Sequence, residues 1–171
     1  TCAPSGEFIT AAACSANYCA ESQVEFSDHS SAGSLAGSTS DVIVVACIRG
    51  YSNEGSETTD YTCMPDGAFS GAPCTPSECT AMAVEFSNRD ADGSIQGVTG
   101  GIVIVSCNAG YVGGGQFRCT AGGVFQGALC TATACAPTQV AFSDYAVAEA
   151  ITGVTGTVVA VTCDAGYAGS G

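Results

Sequence analysis

Twelve cysteines recur along this chain of 171 residues with a repeating spacing. Starting at Cys19, the intervals to the following cysteines are 28, 16, 11 and 5 residues, and starting at Cys79 they are 28, 12, 11 and 5. A third interval of 28 residues begins at Cys135 and ends at Cys163. Such a period indicates small disulfide-stapled modules in tandem, each packing mainly against its neighbours.

The opening segment has the spacing of the second half of a module. Cys2 and Cys14 lie 12 residues apart, and Cys14 precedes Cys19 by five residues, as at the other module boundaries. Residues 135–171 carry only a first half, so joining the two ends completes a third unit of 55 residues beside units of 60 and 56. We therefore expect one period of a longer polymer. The alternative is a fragment that begins and ends inside modules by chance.

This spacing predicts a row of modules separated by linkers of four residues. In chain order, the ranges are 1–14 for the second half of a module that an adjoining copy completes, 15–18 for a linker, 19–74 for a module, 75–78 for a linker, 79–130 for a module, 131–134 for a linker and 135–171 for the first half of a module. Linkers this short are expected to restrict bending between modules.

Apolar β-branched runs precede the second cysteine of each module, and they predict strands because Gly and Asp bound them. These runs are Val42 to Cys47, Ile102 to Cys107 and Val158 to Cys163. Three further segments at equal phase also suggest short strands: Val24 to Asp28, Val84 to Asn88 and Val140 to Asp144. No helical period appears, so the predicted fold class is all-β.

Other residues repeat at fixed positions between the cysteines. A Gly-Tyr pair and a Gly-rich turn follow the second cysteine, and a Gly-x-Phe motif precedes the last one. The members are Gly50-Tyr51, Gly110-Tyr111 and Gly166-Tyr167, then Gly67-Ala68-Phe69, Gly123-Val124-Phe125 and Gly6-Glu7-Phe8. This order resembles the sushi module, also called the complement control protein module, over the whole chain as three units. The family usually has Trp before its last cysteine, where this chain has Phe69, Phe125 and Phe8.

The resemblance implies a disulfide pairing, whereas spacing alone leaves three connectivities open for four cysteines. In the sushi family the first cysteine bonds the third and the second bonds the fourth. Carried over, the pairs are Cys19 with Cys63, Cys47 with Cys74, Cys79 with Cys119, and Cys107 with Cys130. The split module would pair Cys135 with Cys2 and Cys163 with Cys14 of an adjoining copy. The family tyrosine that follows glycine is a framework residue, which implies a structural role for Tyr51, Tyr111 and Tyr167.

Strand alternation predicts which side chains of the apolar runs face outward. Cys47 must point into the core to form its bond, so Val45 and Ile43 also face inward. The outward residues are then Val42 and Val44, with Ile102, Ile104, Val158 and Ala160 at the matching positions. Either loops of the same module cover these residues, or they form an assembly face that packs on another module or another strand of a fibre.

Charge and composition exclude several functional classes. The three cations are all arginine, and 16 carboxylates give a net charge of −13, so a nucleic-acid binder is excluded and attraction to an anionic membrane is disfavoured. No apolar run has the roughly 20 residues of a spanning helix. Twelve cysteines indicate an oxidising compartment and therefore an extracellular, secreted protein.

Few charges and a mean hydropathy of +0.31 suggest that assembly or sugar covers the surface. O-linked glycans are possible, and the linker residues Thr75, Thr131 and Thr133 are the candidates.

No active site or cofactor is expected from the remaining polar residues. Asn88, Asp90 and Asp92 have the spacing of the first half of a calcium loop, but Thr99 stands where that loop needs a bidentate Glu. A polar hairpin turn is the alternative interpretation. His29, the only histidine, has no nucleophile elbow elsewhere to serve, so it is interpreted as a solvated turn residue.

Two functions remain open at this point. The first is a structural repeat protein that forms an extracellular filament, appendage or surface coat by a head-to-tail array of modules, with copies of itself as partners. The second is a fragment of a secreted or cell-surface adhesion or recognition receptor that binds a protein partner through exposed loops.

Overall fold

The computed structural model describes residues 2–7 and 14–169. These residues form eight strands and no helix: β1 (Val42–Ala46), β2 (Tyr51–Ser52), β3 (Thr58–Cys63), β4 (Phe69–Ser70), β5 (Thr75–Pro76), β6 (Ile102–Val105), β7 (Tyr111–Cys119) and β8 (Phe125–Ala132). All pairings are antiparallel, in the orders β1-β3-β4, β2-β5 and β6-β7-β8. The predicted all-β, disulfide-stapled fold class is confirmed. No helix in the described ranges is long and apolar enough to cross a membrane.

The chain divides into two compact units, residues 1–77 and 78–171. In the first unit, β1 pairs with β3 so that buried Val45 lies opposite buried Thr59. Val24, Leu35 and Val45 form its core together with Cys74. Each of these four side chains is at most 5% exposed, so a short sheet and its loops enclose a small but closed core.

The second unit contains the larger sheet. Strand β6 pairs with β7, which pairs with β8 along most of its length. Phe117 on β7 is 1% exposed and packs with Ile95, Val84 and Val105. A Cβ added to Gly127 would lie 2.5 Å from the Phe117 ring, so this glycine lets β8 approach the aromatic side chain closely.

Four disulfides close the two complete modules. They join Cys19 to Cys63, Cys47 to Cys74, Cys79 to Cys119 and Cys107 to Cys130. These are the pairs that the sushi resemblance implies for the complete modules. Two cystines in a unit this small compensate for a core that buries little surface.

The strands predicted for residues 24–28, 84–88 and 140–144 are wrong. Each segment is a turn with a single bridging residue, Ser27, Ser87 or Ser143. The Ser27 hydroxyl donates to the Val24 carbonyl at 2.7 Å and accepts the His29 N–H at 2.9 Å. Such local side-chain bonds compete with a strand ladder. The preceding phenylalanine has a positive φ of 58° in every module, which extended backbone excludes.

The Gly-rich turn predicted after Tyr111 is also wrong, because Gly113, Gly114 and Gly115 lie within β7. The pairing with β8 shifts register on both sides of Gly114, as at a β-bulge. All three glycines have positive φ, and a Cβ on Gly113 would lie 2.1 Å from the Leu129 carbonyl oxygen. The glycines therefore let a bulged strand pass close to its neighbour.

The predicted linkers are partly strand. Tyr51 pairs with Pro76, and at the equivalent place Tyr111 pairs with Ala132. The end of each complete module is thereby hydrogen-bonded to its own Gly-Tyr segment. This pairing, in addition to the short length, restricts motion at the two module ends.

A matched pair of isoleucines tests the core of the second module. We expect Ile95→Ala to destabilise the module by about 3 kcal/mol, because it leaves a cavity at a site that is 0% exposed. Ile104→Ala, at 55% exposure, should change stability by no more than about 0.5 kcal/mol. Thermal melting followed by NMR signals of the second module measures both. Equal losses of stability would contradict the assigned strand faces.

Candidate assembly site

The third sequence repeat, of which residues 135–169 are described, is folded as half a module. Its bridges Ala134–Val154, Thr138–Ile151 and Ser143–Cys163 repeat those of the second module, Glu78–Val98, Met82–Ile95 and Ser87–Cys107. The Cys135 N–H donates to the Gly153 carbonyl at 2.9 Å, as Cys79 does to Gly97. The local hydrogen bonds of residues 134–167 therefore match those of a complete module.

Core positions of this half-module remain open. Val140 and Val161 are 39% and 38% exposed, whereas the equivalent Val84 and Val105 are 1% and 2% exposed. The difference arises because the second module covers these positions with β7 and β8, which have no counterpart in the described part of the third unit. Two apolar core positions thus face solvent.

The run Val158 to Cys163 is consequently not a strand, contrary to prediction. A strand requires a hydrogen-bonded partner, and β1 and β6 obtain theirs from β3 and β7. Only Cys163 forms a bridge, to Ser143. The half-module therefore leaves residues 158–161, three of which are valine, without a strand partner.

Four cysteines are free: Cys2, Cys14 and Cys135 are exposed, and Cys163 is half-buried. Cys135 and Cys163 occupy the positions that Cys79 and Cys107 hold in the second module, where both are bonded. Cys2 and Cys14 have the phase of the partners, Cys119 and Cys130. Phe8, predicted to replace the family Trp, lies outside the described residues.

The outward positions of the apolar runs are exposed. Val42 and Val44 are 57% and 60% exposed, Ile102 and Ile104 are 51% and 55% exposed, Val158 is 93% exposed, and Ala160 is exposed as well. On β7 the neighbours of Ile102 and Ile104 are the exposed Arg118 and Gln116. Loops of the same module therefore do not bury these residues, and an apolar pair recurs on each apolar run.

A stacked Phe-Tyr pair recurs in both complete modules and in the half-module. The ring centroids of Phe26 and Tyr51 lie 4.3 Å apart, and the pairs Phe86–Tyr111 and Phe142–Tyr167 lie at 4.3 and 4.4 Å. Tyr51 and Tyr111 also pack against the cores. The stack connects the serine turn to the Gly-Tyr turn, and it forms in the half-module too.

The candidate calcium residues have structural contacts of their own. The Asn88 Oδ1 atom accepts the Ser106 N–H at 2.8 Å, and Asp144 accepts Thr162 in the same way. Arg89, the next residue in sequence, is half-buried and donates to the Ser94 carbonyl. Within residues 2–7 and 14–169, no group of three or more His, Cys, Asp or Glu could hold a metal ion. Calcium binding by Asn88, Asp90 and Asp92 stays a prediction.

His29 belongs to the same turn. Its Nδ1 atom lies 2.8 Å from the Asp28 carboxylate, which also accepts the Ala46 N–H. The hydrogen bond from His29 lowers the pKa of Asp28, and the Ala46 N–H acts in the same direction. Asp28 thereby links the turn to Ala46 at the end of β1.

The second module borders a cleft of about 540 Å³ that is lined by Glu78, Ala81, Gln96 and Val98 as well as the bonded Cys79. Glu78 is the one ionisable side chain among these.

The candidate glycan threonines lie at module ends. Thr75, Thr131 and Thr133 are exposed. The hydroxyl of Thr75 donates to the Ser52 carbonyl at 3.0 Å and that of Thr131 to the Val112 carbonyl at 3.3 Å. O-glycosylation at these residues stays a prediction.

No protein-family model matches the chain, and no curated protein sequence matches it either.

Proposed function

We propose that this chain is a structural repeat protein whose sushi-like β modules form an extracellular filament, appendage or surface coat in a head-to-tail array. The observation that carries the proposal is the half-module at residues 135–169. It is folded like its complete counterparts, but it leaves Val140 and Val161 exposed and two cysteines unbonded. A segment with the phase of its second half, residues 2–14, begins the same sequence.

In this proposal the two segments complete each other between adjoining copies. Cys135 bonds Cys2, and Cys163 bonds Cys14. Each bond forms from two thiols, with two protons and two electrons passing to a disulfide-type oxidant of the oxidising compartment. The contact is heterologous, since the donor segment and the acceptor half-module are different surfaces. Such a contact generates an open filament when its rotation does not close a ring.

Burial of apolar surface favours the same joint. Covering Val140 and Val161 to the extent seen for Val84 and Val105 contributes on the order of 1 kcal/mol per valine. Pairing of residues 158–161 in the completed module, in the way that β6 pairs with β7, satisfies further backbone groups. The two disulfides then make the joint permanent.

The distribution of exposed groups favours a filament over a receptor. A receptor is expected to carry a distinctive charged or aromatic patch on one module. Here the half-exposed stacked phenylalanines Phe26, Phe86 and Phe142 recur in every unit, as do the outward apolar pairs. A repeated surface suits repeated contacts, so we assign the outward pairs to packing between filament strands or modules.

Electron microscopy of the chain after oxidation tests the proposal. The full chain, oxidised in a glutathione redox buffer, is expected to form filaments with a regular axial repeat of three modules. The Cys2→Ser, Cys14→Ser variant serves as the control, because it keeps the four disulfides inside the modules, and it should contain no filaments. Oxidised material that stays monomeric, with Cys2 and Cys14 still reactive toward iodoacetamide, would show that the proposal is wrong.

A further inference from the structure

A threonine clasps the boundary between the second module and the half-module that follows it. The Thr155 N–H donates to the Thr133 carbonyl at 2.9 Å. The Thr155 hydroxyl donates to the Gly110 carbonyl at 2.7 Å and lies 3.4 Å from the Thr133 carbonyl. One residue of the half-module therefore contacts both the linker and the Gly-Tyr turn of the preceding module.

Gly110 has two features that this contact requires, an accessible carbonyl and no side chain. Its carbonyl also accepts the Thr133 N–H at 2.8 Å, so both of its lone pairs have donors. A Cβ at Gly110 would lie 2.6 Å from Cγ2 of Thr155, so the methyl group of the threonine occupies the space that a side chain would need. The clasp thus consists of a donor half, Thr133 and Thr155, and an acceptor half, Gly110.

The donor half recurs at the start of the first module. Thr39 has the phase of Thr155, and Asn17 has the phase of Thr133. The Thr39 N–H donates to the Asn17 carbonyl at 2.8 Å, and the hydroxyl lies 3.2 Å from that same oxygen. Thr155 makes the same backbone bond to its linker residue, Thr133. Its hydroxyl makes its shorter bond, however, to the Gly110 carbonyl of the preceding module.

The acceptor half recurs in the half-module at Gly166. Its φ of 92° is close to the 84° of Gly110, and the Tyr167 N–H closes the turn on the Asp164 carbonyl as Tyr111 does on Asn108. A Cβ at Gly166 would meet no described atom within 4 Å. The space that Thr155 fills at Gly110 is therefore open at Gly166.

We infer that Thr39 and Asn17 of one copy bind Gly166 of the preceding copy, where the Thr39 hydroxyl and the Asn17 N–H both donate to the Gly166 carbonyl. This contact rests on the proposed filament and adds a specific site to it beyond the shared disulfides. It holds the first module of each copy at the angle that the second module and the half-module adopt within one chain. The bending stiffness of the filament then depends on the Thr39 hydroxyl at each contact between copies.

The test compares valine and serine at Thr39 in the oxidised full chain. Thr39→Val removes the donor at nearly constant volume, whereas Thr39→Ser keeps it. We expect filaments of Thr39→Val to have a persistence length about threefold shorter than wild type in electron micrographs, while Thr39→Ser filaments stay as stiff as wild type. Equal stiffness of the valine variant and wild type would overturn the inference and leave the filament itself intact.

Two further measurements separate the possible failures. In a chain that also carries Cys2→Ser and Cys14→Ser, Thr39→Val should leave the melting temperature unchanged, because inside the chain it removes only the long 3.2 Å contact to Asn17. A large drop in melting temperature would show that Thr39 is needed for folding and would overturn the inference. Within one chain, Thr155→Val should lower the hydrogen-exchange protection of the Thr133 amide about tenfold. If wild type forms no filaments, the contact between copies fails together with the proposed function, and the Thr155 result still reports on the clasp inside the chain.

Discussion

Replacing Cys79 and Cys119 together with serine is expected to unfold the second module at room temperature. The two residues are 7% and 1% exposed and belong to the core cluster with Phe117 and Ile95. Their disulfide closes a loop with a sequence separation of 40 residues, and restricting an unfolded loop of that length contributes about 4 kcal/mol. A module of this size has a stability of only about 5 kcal/mol. Two buried hydroxyl groups in place of the cystine lower the stability further.

The chain supplies its own control for this experiment. Cys2→Ser with Cys14→Ser makes the same chemical change at two exposed, free cysteines. In the Cys2→Ser, Cys14→Ser chain, which lacks the thiols of the joint, NMR spectra after oxidation should show normal signal dispersion for residues 79–130. Adding Cys79→Ser and Cys119→Ser to that chain should collapse the dispersion. Wild-type melting of the second module in the Cys79, Cys119 variant would mean that its core folds without this cystine.

The second large effect concerns the joint between copies. Cys2→Ser with Cys14→Ser should abolish covalent polymer, because no thiol then remains to bond Cys135 and Cys163 of the adjoining copy. Either serine substitution alone should leave a covalent ladder, since one of the two shared disulfides still forms. Electrophoresis of oxidised samples without reductant measures the outcome. A full ladder from the double variant would place the bonds elsewhere in the chain.

The sequence predicts those parts of the fold that depend on strong local patterns. Most of the runs Val42 to Cys47 and Ile102 to Cys107 becomes β1 and β6, with more buried and more exposed residues alternating as period two requires. The similar run at residues 158–162 does not become a strand, since strand formation depends on a partner that local pattern cannot supply. Periodicity thus gives the faces of a strand but not its pairing.

Turn chemistry explains most of the remaining errors. The segment around Phe26 has strand-forming residues, yet the Ser27 hydroxyl bonds locally and the Phe26 backbone adopts a left-handed conformation. The glycines before Gln116 suggest a loop but accommodate a bulge inside β7. A serine that follows phenylalanine at equal phase in every unit is a signal that could have revealed the shared turn.

Single core residues were missed for another reason. Leu35 and Ile95 are both 0% exposed, but each follows Gly-Ser in a polar stretch where no apolar run marks it. The clasp of Thr155 on Gly110 was missed as well, because its residues are 45 positions apart and each is common in turns. Only the repetition of Thr39 and Thr155 at one phase hints at a shared role.

Mass spectrometry of disulfide-linked peptides from mixed isotopic copies tests the shared module most directly. Equal amounts of ¹⁵N-labelled and unlabelled chain are oxidised together, alkylated and digested without reductant. We expect peptides that link Cys2 to Cys135 and Cys14 to Cys163, with heavy–light pairs as about half of the total for random mixing. Pairs that are only heavy–heavy or light–light, a bond between Cys135 and Cys163, or four alkylated thiols would contradict it.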